Sequence, residues 1–364
     1  MPQLSIVVPT FNEIANVQVL RDRVAAALPD IDWEMIFVDD DSPDGTSALL
    51  RRMAQEDARV RCIQRIGRRG LSSACIEGML SSSAPVVAVI DADLQHDEKI
   101  LPQMLGLLDG GPLDVVVGSR YSDGGGIGDW DASRAAASRF ATRLSKLVLK
   151  ADLKDPMSGF FMIRREAFMA CAHAGLSGVG FKILLDLFAT SPTPLRYREV
   201  PYEFGLRVAG ESKLDSNVAW EFVIMLIDRF MGGVIPTRFI AFSLVGAVGL
   251  LVHLLVLSIL FKGIGTTFLV AQSTATVAAV TSNYVLNNLL TYRDRRLRGM
   301  QFVRGWLSFA LACSVGAFAN VGIAAYLYQN EGYWVGSAIA GVMVAAVWNY
   351  AVTAVYTWRS PKPA

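Results

Sequence analysis

From residue 236 to the end of the chain only two acidic residues occur, Asp294 and Glu331, and the stretch between is dominated by long apolar runs. Four of these, at about 239–261, 268–290, 307–328 and 334–357, each approach the ~20 residues that an α-helix needs to cross hydrocarbon. One such run could be the core helix of a soluble domain. Four in succession leave little alternative to a membrane unit over 236–364. The charged residues, 18% of the 364-residue chain, fall mostly before that point. Length and this partition predict a soluble unit over 1–215, a linker over 216–235 and the membrane unit. They exclude a disordered chain, a disulfide scaffold and a wholly soluble enzyme.

The basic residues of the second half are placed asymmetrically. Arg293, Arg295, Arg296, Arg298 and Arg304 lie between spans two and three, Arg229 and Arg238 precede span one, and Arg359 and Lys362 follow span four. The loops after spans one and three carry Lys262 and Glu331 alone. The positive-inside rule then places both termini, the arginine loop and the soluble unit in the cytoplasm. The net charge of +1 gives no sign of a nucleic-acid partner, and the arginine cluster reads as a membrane-flanking loop. The four cysteines form no CxxC pair, which predicts free thiols in a reducing compartment. The start of the chain reads as a strand, with no cleavable signal peptide expected.

Within the membrane half, an offset of 66 residues, the step from Asn283 to Asn349, also pairs Arg238 with Arg304, Tyr284 with Tyr350, Thr291 with Thr357 and Arg293 with Arg359. Tyr292 meets Trp358. This pattern suggests two parallel helical hairpins, each ending in an aromatic-Arg anchor. Asn283, Asn287 and Asn349 are expected to hydrogen-bond between helices.

The first half alternates short apolar runs (4–8, 35–38, 60–64, 86–90, 115–117) with helical patterns at about 16–27 and 44–55. Such alternation predicts βαβ units and a mainly parallel α/β sheet with both faces covered. In these sheets ligands bind beyond the carboxyl ends of the strands. Polar residues cluster there: Glu13 after the first run, Asp39, Asp40 and Asp41 after the second, Asp91, Asp93 and Gln95 after the fourth, Ser119 and Arg120 after the fifth. Each alone could be a helix cap. The chain has no Walker A sequence, and the glycine-rich run 124–128 does not open a helix in a GxGxxG frame, so it reads as a mobile loop.

Asp91-Ala92-Asp93 sets two carboxylates two residues apart at the mouth of a buried strand. Oxygen ligands of this kind suit Mg²⁺ or Mn²⁺, which proteins hold with few carboxylates plus substrate phosphates. His96, beside them, is a poorer ligand for such ions and reads as supporting the site or the core; His173 and His253 read as structural. The helical patterns at 181–189 and 217–231 place polar residues on one face, Lys182 and Asp186 in the first and Asn217, Glu221 and Asp228 in the second, and suggest helices lying on a membrane surface.

Three runs, Val8-Pro9-Thr10-Phe11-Asn12-Glu13, Val38-Asp39-Asp40-Asp41-Ser42-Pro43-Asp44-Gly45-Thr46 and Asp91-Ala92-Asp93-Leu94-Gln95-His96, resemble glycosyltransferase family 2. Further runs narrow the resemblance to polyprenyl-phosphate (dolichyl-phosphate) mannose synthases: Gly70-Leu71-Ser72-Ser73-Ala74, Gly118-Ser119-Arg120-Tyr121, Asp155-Pro156-Met157-Ser158-Gly159-Phe160, Phe181-Lys182-Ile183-Leu184-Leu185 and Gly210-Glu211-Ser212-Lys213-Leu214. The second half resembles the four-span GtrA-like domain. These resemblances imply a GT-A (Rossmann-like) catalytic domain, interfacial helices and an all-α four-helix membrane domain. They imply a metal-dependent inverting transfer from a nucleotide diphosphosugar, GDP-mannose, to a polyprenyl phosphate. Carried over by motif, Pro9, Phe11, Glu13, Val38 and Asp40 would hold the nucleotide. Asp91, Ala92, Asp93 and Gln95 would form the diphosphate site, with Asp91, Asp93 and Gln95 on the metal. Arg120, Arg134 and Ser138 would meet the lipid phosphate, and Arg207 and Lys213 would close over the donor; Asp91, Asp93, Arg120, Arg134 and Lys213 would carry catalysis. Phe11 stands where the family has Tyr, so no hydroxyl is available there. Two rivals remain: a UDP-sugar such as UDP-glucose as donor, and a non-catalytic lipid-carrier translocator or scaffold.

Overall fold

A computed structural model describes residues 1–126, 142, 145, 149, 151–178, 180, 182–205, 216–231, 235–331 and 334–359. The chain divides into two compact units, Met1–Gly233 and Val234–Ala364.

The first unit is built on seven strands in the order β3-β2-β1-β4-β6-β5-β7. They are β1 (Leu4–Thr10), β2 (Trp33–Asp39), β3 (Val60–Gln64), β4 (Val86–Val89), β5 (Val115–Ser119), β6 (Phe161–Arg164) and β7 (Tyr197–Pro201). All pairings are parallel except those of β6, which runs antiparallel between β4 and β5. Side chains alternate between two cores. Leu4, Ile6, Val8, Met35 and Phe37 face one layer, packed by α1 (Val17–Ala27), α2 (Thr46–Glu56) and α4 (Leu101–Asp109). Val7, Ile36, Val38, Val87 and Val89 face the other, packed by α3 (Leu71–Ser81), α5 (Arg165–His173) and α6 (Ile183–Thr190). Because both faces are apolar, these strands show unbroken hydrophobic runs in sequence.

Several expectations change. β1 runs through Pro9 to Thr10 instead of ending before the proline; Pro9 pairs with Val38 on β2, while β4 pairs only as far as Val7, so the missing N–H interrupts no ladder on that side. α6 is a core helix and does not lie on a membrane surface: all six residues from Ile183 to Phe188 are buried, Asp186 included. Asp186 is held there by Ser177, whose backbone N–H and hydroxyl donate to its Oδ2 at 2.9 and 3.1 Å. In α7 (Ser216–Phe230), Phe222, Met225 and Leu226 join the second core and Asp228 is buried, whereas Val223 and Phe230 are exposed. The glycine-rich run is pinned at Gly126, which bridges Glu203 between the N–H···O bonds Gly126 to Tyr202 and Phe204 to Gly126.

The second unit contains α8 (Thr237–Ser258), α9 (Phe268–Leu286), α10 (Gly299–Glu331) and α11 (Trp334–Tyr356), with π-helical turns Ile259–Gly263 and Asn287–Thr291 extending the first two. Among the described residues, Thr237–Gly263 and Gly299–Asn320 are long and apolar enough to cross a membrane, with mean hydropathies of 2.6 and 1.5; Ala340–Tyr356 is a shorter apolar segment. α8 pairs with α9, and α10 with α11. Each pair closes on the same contact. A Cβ on Gly249 would lie 2.1 Å from Asn283 Oδ1, and one on Gly316 would lie 2.2 Å from Asn349 Oδ1. Tyr292 and Trp358, partners in the sequence repeat, stack with centroids 4.2 Å apart and planes 4° from parallel.

The expected bonding of the asparagines is therefore corrected. Asn283 and Asn349 press their amides against glycine backbone, and neither Oδ1, nor that of Asn287, accepts a hydrogen bond among the described residues. The glycines let the facing helix come close enough for this contact, which any side chain there would block. The asparagine that does bond across the unit is Asn288, whose Oδ1 accepts from Trp358 Nε1 at 3.1 Å.

Candidate active site

The ends of β1, β2, β4 and β5 converge with the 155–160 turn. Among the described residues, three non-glycine residues have positive φ, and each lies in a loop leaving one of these strands: Asn12 (56°), Asp41 (57°) and Leu94 (62°). Such backbone is held only where its surroundings over-determine it. Asn12 N–H donates to Ser42 Oγ at 2.8 Å, and Glu13 N–H donates to Thr46 Oγ1 at 3.1 Å, which ties the first loop to the second. Asp39 is buried and accepts from Ser42 N–H (3.0 Å), Ser42 Oγ (2.6 Å) and Ser47 Oγ, so it serves as the brace of the β2–α2 turn.

Asp40 is also buried, with a buried cation beside it. Arg65 Nη1 donates to its Oδ1 at 2.8 Å, and Gly70 N–H donates to its Oδ2 at 2.7 Å. The same guanidinium donates to Gly70 O at 3.0 Å and Ser73 Oγ at 2.6 Å. Burial outweighs these partners and raises the Asp40 carboxyl above its ordinary value. Phe11 carries the Arg69 guanidinium over its ring at 4.4 Å. Val38 is buried in β2, and Glu13 is buried while accepting from Asn16 Nδ2 at 2.7 Å.

At the end of β4, Asp91 keeps 31% of its side chain exposed, while Asp93 and Gln95 are buried. Gln95 N–H donates to Asp93 Oδ1 at 3.2 Å. Gln95 is clamped to Gly205: its Nε2 donates to Gly205 O at 2.9 Å, and Gly205 N–H donates to Gln95 O at 2.8 Å. His96 joins Asp91 to Tyr202. Its Nε2 lies 3.2 Å from Asp91 Oδ2 and its Nδ1 2.7 Å from the Tyr202 hydroxyl. An ionised carboxylate only accepts, so Nε2 carries the hydrogen that faces Asp91, while Nδ1 pairs with the Tyr202 hydroxyl. Burial pushes the Tyr202 hydroxyl well above its ordinary value, which keeps the phenol protonated. Burial also pushes Asp91 up, but the His96 bond and the Lys182 and Arg120 charges outweigh it, and the carboxyl lies below its ordinary value. Asp91 is therefore ionised at neutral pH. Gly159 is required beside it, since a Cβ there would stand 2.8 Å from Asp91 Oδ2.

Arg120 is buried and its fork is engaged by the buried Asp155, with Nε at 2.7 Å and Nη2 at 2.8 Å. Its backbone N–H donates to the same carboxylate at 3.1 Å. Burial opposes the Arg120 charge, but Asp155 outweighs it and holds the group above its ordinary value. Glu199 on β7 fixes the turn by accepting from Lys154 and Asp155 N–H, both at 3.0 Å.

The structure thus gathers Pro9, Phe11, Glu13, Val38, Asp40, Asp91, Ala92, Asp93, Gln95 and Arg120 around these strand ends. Arg134, Ser138, Arg207 and Lys213 lie outside the described residues. Arg65, Asp155 and Tyr202 had no role from the sequence. Arg65 and Asp155 are separated from the partners they satisfy by 25 and 35 residues; Asp155 stood in a family-like run without a role, and Arg65 was only an unexplained charge beside an apolar run.

The first unit is thus a GT-A-like domain, a mixed, mostly parallel sheet that carries two carboxylates and an amide at its strand ends with buried guanidinium groups beside them. Residues 5–171 match Glycosyl transferase family 2, and residues 241–358 match the GtrA/DPMS transmembrane domain. A dolichol-phosphate mannosyltransferase of Pyrococcus furiosus is 32% identical over 98% of this chain and 100% of its own length. One from Mycosarcoma maydis is 36% identical over 66% of this chain and 83% of its own. A solved glucosyl-3-phosphoglycerate synthase of Mycobacterium tuberculosis in complex with UDP is 21% identical, covering 65% of this chain and 82% of its own, with a TM-score of 0.44. The chain belongs to glycosyltransferase family 2 and is a glycosyltransferase with a fused GtrA-type membrane domain.

Proposed function

We propose that this enzyme transfers mannose from GDP-mannose to a polyprenyl phosphate, with inversion, giving polyprenyl-phosphate mannose at the cytoplasmic face of a membrane. The observation that carries this reading is the end-to-end alignment with a dolichol-phosphate mannosyltransferase, which includes both domains. In this reading residues 1–215 are catalytic, 216–235 form an interfacial link, and 236–364 cross the bilayer four times.

Asp40, fixed by Arg65 and Gly70, meets the nucleoside together with Pro9, Phe11, Glu13 and Val38. Asp91, Asp93 and Gln95 are the residues that would hold Mg²⁺ or Mn²⁺. Their donor set fits such an ion: an ionised, partly exposed carboxylate beside a second carboxylate suits a hard cation that completes its shell with water and substrate phosphate. When bound, the ion offsets the negative charge that builds on the leaving diphosphate. His96, oriented by Tyr202, fixes one face of Asp91 and leaves the carboxylate aimed by Gly159's lack of a side chain. Arg120 supplies a fixed positive charge whose direction Asp155 sets, and Arg134 and Ser138 join it at the lipid phosphate. Arg207 and Lys213 cover the donor.

The acceptor explains why no strong general base is needed. A phosphate monoester has its second pKa near 6, so it is largely a dianion at neutral pH and already nucleophilic. The protein's task is to bring two polyanions together, for which guanidinium groups suit. Attack opposite the departing diphosphate inverts the anomeric carbon. The test uses the purified full-length chain in detergent with Mn²⁺ and polyprenyl phosphate, offered labelled GDP-mannose or UDP-glucose. Mannosyl lipid from GDP-mannose alone is expected. Product from UDP-glucose alone would replace the donor, and no product from any donor would favour a translocator or scaffold.

A further inference from the structure

The second unit has a cavity of about 590 Å³ where α9 ends and α10 begins, walled by Val285, Leu289, Leu297 and Phe302 and rimmed by Arg296 and Arg298. The loop is built, not merely placed. Asn288 is buried and grips Leu297 from both sides, donating from Nδ2 to Leu297 O at 3.2 Å and accepting Leu297 N–H on Oδ1 at 2.9 Å. The 3₁₀ turn Arg293–Arg295 ends at Arg296, with φ −58° and ψ 120°. Arg296 and Arg298 both line the same cavity.

Their charge meets no acidic partner within the described residues of this unit. The unit holds two acids, Asp294 and Glu331. Asp294 is taken by Arg238 at 2.6 Å and Arg295 at 3.5 Å. Arg296 and Arg298 have no acidic partner among the described residues. Two like charges at the rim of one apolar cleft attract an anion, and the apolar walls favour one that carries an apolar part to fill them. Basic pockets between membrane helices bind phosphate headgroups for this reason.

We propose that this cavity is a binding site for an anionic phospholipid, with the headgroup phosphate between Arg296 and Arg298 and the chain against Val285, Leu289 and Phe302. A bulk bilayer lipid far exceeds any carrier lipid in amount, so mass action fills the site with phospholipid. The site is independent of the transfer chemistry.

The test is native mass spectrometry of the full-length chain released from nanodiscs of equimolar phosphatidylglycerol and phosphatidylcholine. One retained phosphatidylglycerol is expected on the wild type. R296Q/R298Q should lower that preference about 30-fold, at roughly tenfold or less per arginine. L289W, which fills the cavity and keeps both charges, should lose the lipid too. R304Q/R359Q removes equal charge from exposed positions outside the cavity and should retain it. The proposal is overturned if R296Q/R298Q retains the lipid, or if R304Q/R359Q loses it equally. Displacement of phosphatidylglycerol by stoichiometric polyprenyl phosphate, or by millimolar inorganic phosphate, overturns it as well. Because both arginines are exposed, R296Q/R298Q decides the matter even if L289W fails to fold.

Discussion

Three buried carboxylates of the catalytic unit and three asparagines of the membrane unit are held in opposite ways. In the catalytic unit, Asp39, Asp40 and Asp155 are buried carboxylates, and each accepts at least two hydrogen bonds. In the membrane unit, the Oδ1 atoms of Asn283, Asn287 and Asn349 accept none, and two of the three lie against glycines. A buried charge is tolerable only when paired and hydrogen-bonded, so the first arrangement builds rigid networks that fix the direction of each charge. A neutral amide against a glycine Cα gains close packing, which is what holds helices together where lipid removes the hydrophobic driving force. One unit spends side chains on electrostatics, the other on proximity.

The sharpest break of that contrast is Asp93→Ala. It should lower transfer by roughly 10³-fold with the fold intact, measured as labelled lipid product beside a circular dichroism melt. Near-wild-type activity would remove the metal site as described. Asp155→Ala comes next. It removes the carboxylate that engages the buried Arg120 fork and should destabilise the catalytic unit by about 3–5 kcal/mol, read as a lowered unfolding midpoint. An unchanged midpoint would mean that the pair is not buried in solution.

On the membrane side, Gly249→Ala and Gly316→Ala each force a methyl into an asparagine and should cost about 1–3 kcal/mol. Equal losses in the two variants would strengthen the reading of α8–α9 and α10–α11 as repeats; a loss in one alone would weaken it. Tyr202→Phe is gentler, since it removes one hydrogen bond to His96. It should weaken Mn²⁺ affinity a few-fold, at about 1 kcal/mol, with little change in the melt, and titration by electron paramagnetic resonance reads it directly.

The smallest effect is expected at the surface. Arg59 holds the Asp57 carboxyl down to about 2. A depressed folded pKa means stability present above the unfolded value near 4 and lost as pH falls through about 2. Arg59 is half exposed, so screening leaves under about 1 kcal/mol. Arg59→Ala should flatten the stability profile between about pH 4 and 2 by no more than that.

Much of the catalytic scaffold was legible in advance, because β1 to β5 are apolar runs that parallel strands with two covered faces require. β6 and β7 were not. Phe161–Arg164 is only four residues long, and Tyr197–Pro201 is an edge strand with Arg198 and Glu199 in it, so neither has the pattern of a buried strand. α6 misled for a related reason. Lys182 and Asp186 at i, i+4 look like a wet face, but Ser177 neutralises the cost of burying Asp186, and nothing local reports that partner.

The sequence by itself determined where the chain is charged and where it is apolar, which strands end in clusters of polar residues, and which family the chain belongs to. These follow from local pattern: hydrophobic period, charge placement and contiguous motifs. Tertiary structure alone decided that Asp155 grips Arg120, that Arg65 aims Asp40, that Tyr202 orients His96, and that Arg296 and Arg298 share one cavity. Such pairings depend on the sheet order β4-β6-β5-β7 and on a buried asparagine folding a loop back, and a hydrogen bond between residues far apart in sequence leaves no periodic trace in either.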